Sequence, residues 1–185
     1  IGLYLRWHQL DLVPAINGDE AFPTVQMREL TLGKPVTLWV PTQRILSPIY
    51  ASLVLIIQKL LPNQLDFMTV RLPALIAGLS FIGLTFWMTR VELGFTTALF
   101  STIIVTALPM SIAYSRSAVE QCLMGAVGIV CIGFALQKKI KSTLAAFSLA
   151  VLSHPVNIFL APLLGVILLS KRRTQRGLVL FFLAS

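Results

Sequence analysis

Charge is scarce in this chain. Only seven residues are Asp or Glu, and Asp, Glu, Lys and Arg together make up 12% of the 185 residues. A soluble domain of this length that is 56% hydrophobic, with a mean hydropathy of +0.84, could not hide its apolar surface from water. The composition excludes an ordinary soluble domain and predicts an integral membrane protein. Cysteine is nearly absent as well. Cys122 and Cys131 lie in one apolar run, and on a helix their spacing points them to nearly opposite faces. A disulfide or a metal pair is therefore not expected, and both read as small buried hydrophobes. Histidine occurs twice, as His8 and His154, without partners at metal-ligand spacing, so there is no zinc motif. A secretory signal pattern is also missing.

The charge that is present is mostly basic, with a formal net charge of +8. Cytoplasmic loops of membrane proteins are rich in Lys and Arg, so this excess predicts topology and lipid-headgroup contact, and no nucleic-acid partner is expected. The chain opens on "IGLYLRW" and stops at "GLVLFFLAS", like the tail of one helix and the opening of another. It is expected to be a piece of a longer protein, truncated at both ends.

Apolar runs cover 45–61, 71–89, 94–114, 118–136, 142–152 and 155–170. Crossing the hydrocarbon core takes about 20 helical residues. The runs 71–89, 94–114 and 118–136 meet that length, and in lipid they must be helices because open sheets leave backbone groups unpaired. The last two runs are too short or marginal. They are separated by "SHP", where Pro155 breaks the helix, and are flanked by Lys138, Lys139 and Lys141 on one side and Lys171, Arg172, Arg173 and Arg176 on the other. Both basic clusters are expected in the cytoplasm, which makes 142–170 a hairpin that leaves and returns to the same side. Counting crossings back from "KKIK" puts Arg71, Arg116, Glu120 and His154 on the external side. The run 45–61 is left open: if it spans, the polar loop before it is cytoplasmic, and if it does not, that loop is external.

An ordered series of motifs resolves this. A "DE" pair after the first helix is followed by "SPIY", "VRLPALIAGLSFIGLTFWMTR", "TALFSTIIVTALPMSIAYSRSAVEQ" and "HPVNIFLAPLL". In that order the chain resembles the amino-terminal half of polyprenyl-phosphate-dependent glycosyltransferases of the GT-C superfamily, in particular the protein O-mannosyltransferase and lipid A aminoarabinose transferase group. The resemblance implies an all-α integral membrane fold, a multi-helix transmembrane bundle whose long first external loop, 6–70, carries short interfacial helices, with transmembrane helices over 71–185. It implies an external "DE" loop, with 45–61 as a helix at or dipping into the interface. It also implies a bacterial inner or plasma membrane enzyme with its active site on the periplasmic or external face.

Such enzymes move a sugar from a lipid phosphate to an acceptor. The chemistry needs a carboxylate to take the acceptor's proton and cationic or hydrogen-bonding groups to hold the departing phosphate. The resemblance makes Asp19 the general base, with Glu20 orienting the loop or binding the acceptor. The competing reading of "NGDEAF" is a helix cap, with Asn17 or Asp19 on the first amides. Arg44, Arg71, Arg116, Glu120 and His154 are the candidates for substrate or phosphate binding. Four of them have a plainer reading: snorkelling for Arg71 at the mouth of its helix, an i, i+4 ion pair for Arg116 and Glu120, and a hydrogen-bonded turn residue for His154. Relatives often have Asp where Glu120 stands, which changes the reach by one methylene. A divalent ion held by Asp19 and Glu120 is one possible cofactor, the polyprenyl-phosphate sugar is the expected donor, and the acceptor (lipid, glycan or protein) is open. The rival classes are a polytopic transporter or lipid flippase, whose polar residues line a route, and a non-catalytic relative. The topology is directly testable. In membrane vesicles of known orientation, the thiol from Gly18→Cys is expected to react with an impermeant reagent from outside, and that from Ile140→Cys is not. The reverse labelling overturns the placement of 45–61.

Overall fold

The computed structural model describes residues 1–12, 18–34, 47–61 and 67–170. Every regular element among these residues is helical, as the all-α expectation requires. The order is α1 Gly2–Trp7, α2 Gly18–Thr31, α3 Pro48–Leu60, α4 Phe67–Leu93, α5 Phe95–Ala107, α6 Pro109–Arg116, α7 Gln121–Leu136, α8 Ile140–Ser153, a 3₁₀ helix Pro155–Phe159, and α9 Leu160–Leu169. The basic cluster at 171–176, Asn17 and Arg44 lie outside the described residues.

Three apolar runs were expected to be long enough to cross a membrane, and the helices correct that count. The stretch Met68–Leu93 of α4 is long and apolar enough by itself. It starts before Arg71, which therefore sits inside the helix and not at its mouth. The run 94–114 is two helices, α5 and α6, bent by 58°. The cause is Pro109: it has no amide hydrogen, and it drives the preceding residue out of the helical region. Leu108 accordingly has ψ 119. A helix continued through this point would pair the Val105 carbonyl with the amide that Pro109 lacks. Arg6 supplies the donors instead, from Nη2 to Val105 O at 3.4 Å and from Nη1 to Thr106 O at 3.1 Å. Its Nη2 also reaches Ser111 Oγ at 2.9 Å on the far side of the break, so one fully buried arginine splints the joint. The run 118–136 is helical only over the 16 residues of α7. That is about 24 Å at the α-helical rise, short of the roughly 30 Å of a hydrocarbon core.

The hairpin expected around "SHP" is present. α8 stops at Ser153, His154 is extended, and the chain returns through the 3₁₀ helix and α9. Its two ends are tied at one level. Lys138, in the turn before α8, donates from Nζ to Ile167 O at 2.7 Å, Leu168 O at 2.6 Å and Ser170 O at 2.7 Å. A cation at a helix C-terminus meets the negative end of the helix dipole. The same residue closes α7. The Lys139 amide donates to Phe134 O and the Lys138 amide to Ala135 O, both at 3.0 Å, with Lys138 at φ 59. This is the Schellman geometry that glycine usually takes.

Small residues set the close approaches between helices. A Cβ on Gly78 of α4 would run into Ser115 Cβ of α6, and one on Gly125 of α7 would lie 3.2 Å from the Phe81 ring of α4. One apolar cluster joins α2, α3 and α4 through Met27, Tyr50, Val54, Val70 and Ala74. A second joins α7, α8 and α9 through Cys131, Ala135, Ala150, Leu164 and Ile167. Both cysteines are free and buried, as small hydrophobes should be. Serine, threonine and asparagine at 111, 115, 143, 153 and 157 are buried too, while large side chains such as Phe100, Ile104, Leu144 and Phe159 face outward.

The capping lysine gives a test of the hairpin. Lys138→Met removes the ammonium but keeps the stem, and is expected to lower stability by roughly 1–2 kcal/mol, read as a lower melting temperature in detergent. An unchanged melting temperature would mean that the three carbonyls find water equally well.

Candidate functional site

The end of the bundle opposite Lys138 gathers the rare charges. α2 begins there, and its third residue, Glu20, is fully buried. The Glu20 carboxylate meets Arg71 of α4 in a two-pronged pair: Nε donates to Oε1, and Nη2 donates to Oε2 at 2.8 Å. The Ala118 amide donates to the same Oε1 at 2.9 Å. The third arm of Arg71, Nη1, donates to the Leu10 carbonyl. Arg71 is itself only 1% exposed. A buried ion pair survives only when its fork geometry is good and its remaining groups are hydrogen-bonded, and here all three nitrogens of the guanidinium are engaged. This corrects the snorkelling reading. Arg71 does not reach for the interface but turns inward, where it joins segments around residues 10, 20 and 118. Glu20 is enclosed by Arg71 and the Ala118 amide and is closed off from solvent.

Arg116 works beside this pair. It is the last residue of α6, and its Nη1 donates to Leu5 O at 2.8 Å while Nη2 donates to His8 O at 2.7 Å and Gln9 O at 3.3 Å. It thereby closes the C-terminal end of α1. The like charge of Arg71 lies close by. Glu120 is the N-cap residue of α7, and Ser117 between them is extended, with ψ 147. Arg116 and Glu120 therefore do not share one helix but flank a corner between two, because the chain turns at 117–120. Tyr50 of α3 completes the floor. It is 1% exposed and donates from Oη to Val70 O at 2.8 Å, one residue before Arg71 and just ahead of Pro73. Burial, then Glu120 and Glu20, raise its phenol well above the ordinary value, so it stays a donor.

Glu120 faces the hairpin turn. Its Oε1 lies 3.8 Å from Nε2 of His154, and the two side chains are 19% and 27% exposed. His154 Nδ1 accepts the Val156 amide at 3.2 Å, so His154 caps the 3₁₀ helix that follows it. Asn157, buried, donates from Nδ2 to Ala150 O at 2.8 Å and locks the turn.

The structure therefore brings together Glu20, Arg71, Arg116, Glu120 and His154, five of the seven residues that the sequence singles out. Asp19 lies in the first turn of α2 next to Glu20, and its side chain is not among those described. Arg44 lies outside the described residues. Among the described residues no three His, Cys, Asp or Glu side chains converge to hold a metal ion, and a site shared by Asp19 and Glu120 rests on the undescribed Asp19 side chain. No protein-family model matches the chain. Neither a curated protein nor a solved structure matches it. The GT-C resemblance accordingly stands on the ordered motifs alone.

Sequence reasoning missed Arg6 and Tyr50. Arg6 carried a signal, because a lone arginine inside the apolar run "IGLYLRW" is costly unless it is paired with backbone or charge. Tyr50 carried none beyond its place after Pro48.

Removing one partner of a buried ion pair strands the other. Glu20→Gln is expected to cost about 3–5 kcal/mol of stability. Adding Arg71→Met should recover part of that loss, since the stranded charge is gone. Strictly additive losses in a double-mutant unfolding cycle would show that the two side chains do not depend on each other.

Proposed function

We propose that this chain is part of an integral membrane glycosyltransferase that takes a sugar from a polyprenyl-phosphate donor and passes it to an acceptor on the external face, with Asp19 as general base. The observation that carries the reading is the polar cluster at one end of the helices. The resemblance calls for the acidic loop, the Ser-Arg corner and the His-Pro turn to act together, and Glu20, Arg116, Glu120 and His154 lie within one neighbourhood.

Two further features support the membrane part. α4 is long and apolar enough to span, and α5 with α6 passes the same test as one bent span. Large apolar side chains face outward while serine, threonine and paired charges lie inside, which suits a lipid surround. In this reading α7 and the α8–α9 hairpin complete a bundle, and 45–61, which includes α3, belongs to the first external loop.

The roles divide by burial. Glu20 and Arg71 frame the loop that carries Asp19. Arg116, with Arg44, supplies positive charge for the departing phosphate. Glu120 and His154, partly open, meet the substrate. Asp19 in the first turn of α2 is then a base whose carboxylate draws the proton from the acceptor hydroxyl or amine as the acceptor attacks the anomeric carbon. The second reading is a transporter or lipid flippase. The 58° break between α5 and α6 favours it, since discontinuous helices line substrate routes in transporters.

The experiment is transfer from a labelled polyprenyl-phosphate sugar by the full-length protein. Asp19→Asn is expected to abolish transfer and leave the melting temperature unchanged. Undiminished transfer removes Asp19 as the base, and sugar uptake into vesicles without transfer favours the transporter.

A further inference from the structure

The Glu120–His154 pair has a more specific chemistry than a general polar contact. Because His154 Nδ1 accepts the Val156 amide, it carries no proton in this arrangement. The ring hydrogen is then on Nε2, the nitrogen that faces Glu120. The 3.8 Å separation from Glu120 Oε1 is longer than a hydrogen bond. The Nε2 donor and a carboxylate acceptor thus stand side by side, farther apart than a hydrogen bond and partly open to the surroundings. They come from different elements, the N-cap of α7 and the break between α8 and the 3₁₀ helix. The buried Asn157 holds the backbone of the turn, and the Val156 amide holds the ring.

Four kinds of ligand group are distinguishable here. A phosphate would accept from Nε2 but would press its charge against the Glu120 carboxylate. An ammonium would suit Glu120 but would set donor against donor at Nε2. A metal ion would need the lone pair of Nε2, hence a hydrogen on Nδ1 directed at the Val156 amide, and the turn would lose its cap. A hydroxyl both accepts and donates, so it satisfies the two groups at once.

We infer that Glu120 and His154 form a hydroxyl-recognition subsite, in which a sugar or polyol hydroxyl accepts from His154 Nε2 and donates to Glu120. The transferase reading supplies only the identity of the molecule that carries the hydroxyl; the donor–acceptor geometry stands apart from it. The carboxylate has lone pairs for several donors, so the hydroxyl adds to its other contacts.

The chain has two histidines, so labelling with ¹⁵N-histidine yields two imidazole patterns, with His8 as a reference within the molecule. The full chain in lipid nanodiscs is titrated with methyl glucoside, methyl mannoside and methyl arabinoside, and separately with inorganic phosphate at matched ionic strength. The expected result is an Nε2–H tautomer for unliganded His154 and a saturable shift of its Nε2 signal with at least one glycoside and not with phosphate. Glu120→Ala should abolish the shift, and Glu120→Gln, which keeps an acceptor oxygen and serves if the alanine variant does not fold, should retain a weakened one. An Nδ1–H tautomer, a response to phosphate alone, a glycoside shift that persists undiminished in Glu120→Ala, or no response to any of the three glycosides overturns the subsite. A glycoside response in a protein that shows no sugar transfer removes the transferase reading and leaves the subsite standing. Transfer without a glycoside response does the opposite.

Discussion

One buried ion pair organises this molecule. Glu20 and Arg71 stand 51 positions apart in sequence and meet with almost no exposure to solvent. Two charges in such a place repel every arrangement in which they are not paired, since an isolated ion in a low-dielectric interior is far more costly than a matched one. The pair therefore selects one packing of the first loop against the helices. It fixes α2 to α4 directly, the turn after α1 through the Leu10 carbonyl, and the α6–α7 corner through the Ala118 amide. Net stabilisation from such a pair is small, because desolvation offsets most of the attraction. Its contribution is to make the alternatives worse.

The same rule, that polar groups inside must be matched, governs the breaks in the helices. Pro109 removes an amide, and Arg6 reaches across to the carbonyls of Val105 and Thr106. Pro155 ends α8, and the turn is rebuilt by His154 on the Val156 amide and by Asn157 on the Ala150 carbonyl. At the other end, Lys138 takes the last carbonyls of α9. Each of these three stretches of backbone has a side chain bonded to it, as a water-poor interior demands. Arginine and lysine thus serve here as backbone donors as well as charges.

Burial sorts the polar residues into two groups. Glu20, Arg71, Arg6 and Tyr50 are closed off and hold other atoms in place. Glu120 and His154 are partly open and do not satisfy each other. A group closed off from its surroundings has little to offer a ligand, whereas a donor and a carboxylate that are partly open and held side by side by different elements can receive one. This difference, more than the mere presence of charge, distinguishes a frame from a binding surface in this cluster.

Much of this was legible in the sequence. Composition and the long apolar runs predict helices, which every regular element among the described residues is, and "SHP" between two basic clusters marks a hairpin, since proline and charge act locally and need no partner to be read. Counting crossings put Arg71, Arg116, Glu120 and His154 on one side of a membrane; the structure shows these residues near one another. Local reading failed where it assumed one continuous helix: Pro109 was lost inside an apolar run, and Arg116 and Glu120 were set on one helix although the chain turns between them. It could not choose Glu20 as the partner of Arg71, nor the carbonyls of Leu5, His8 and Gln9 as those of Arg116, because partners distant in sequence are settled by which surfaces pack. Sequence alone determined which segments are helical and which residues are too polar to be left unmatched. Tertiary structure decided what matches them, since in a low-dielectric interior a charge is placed by the nearest group able to satisfy it.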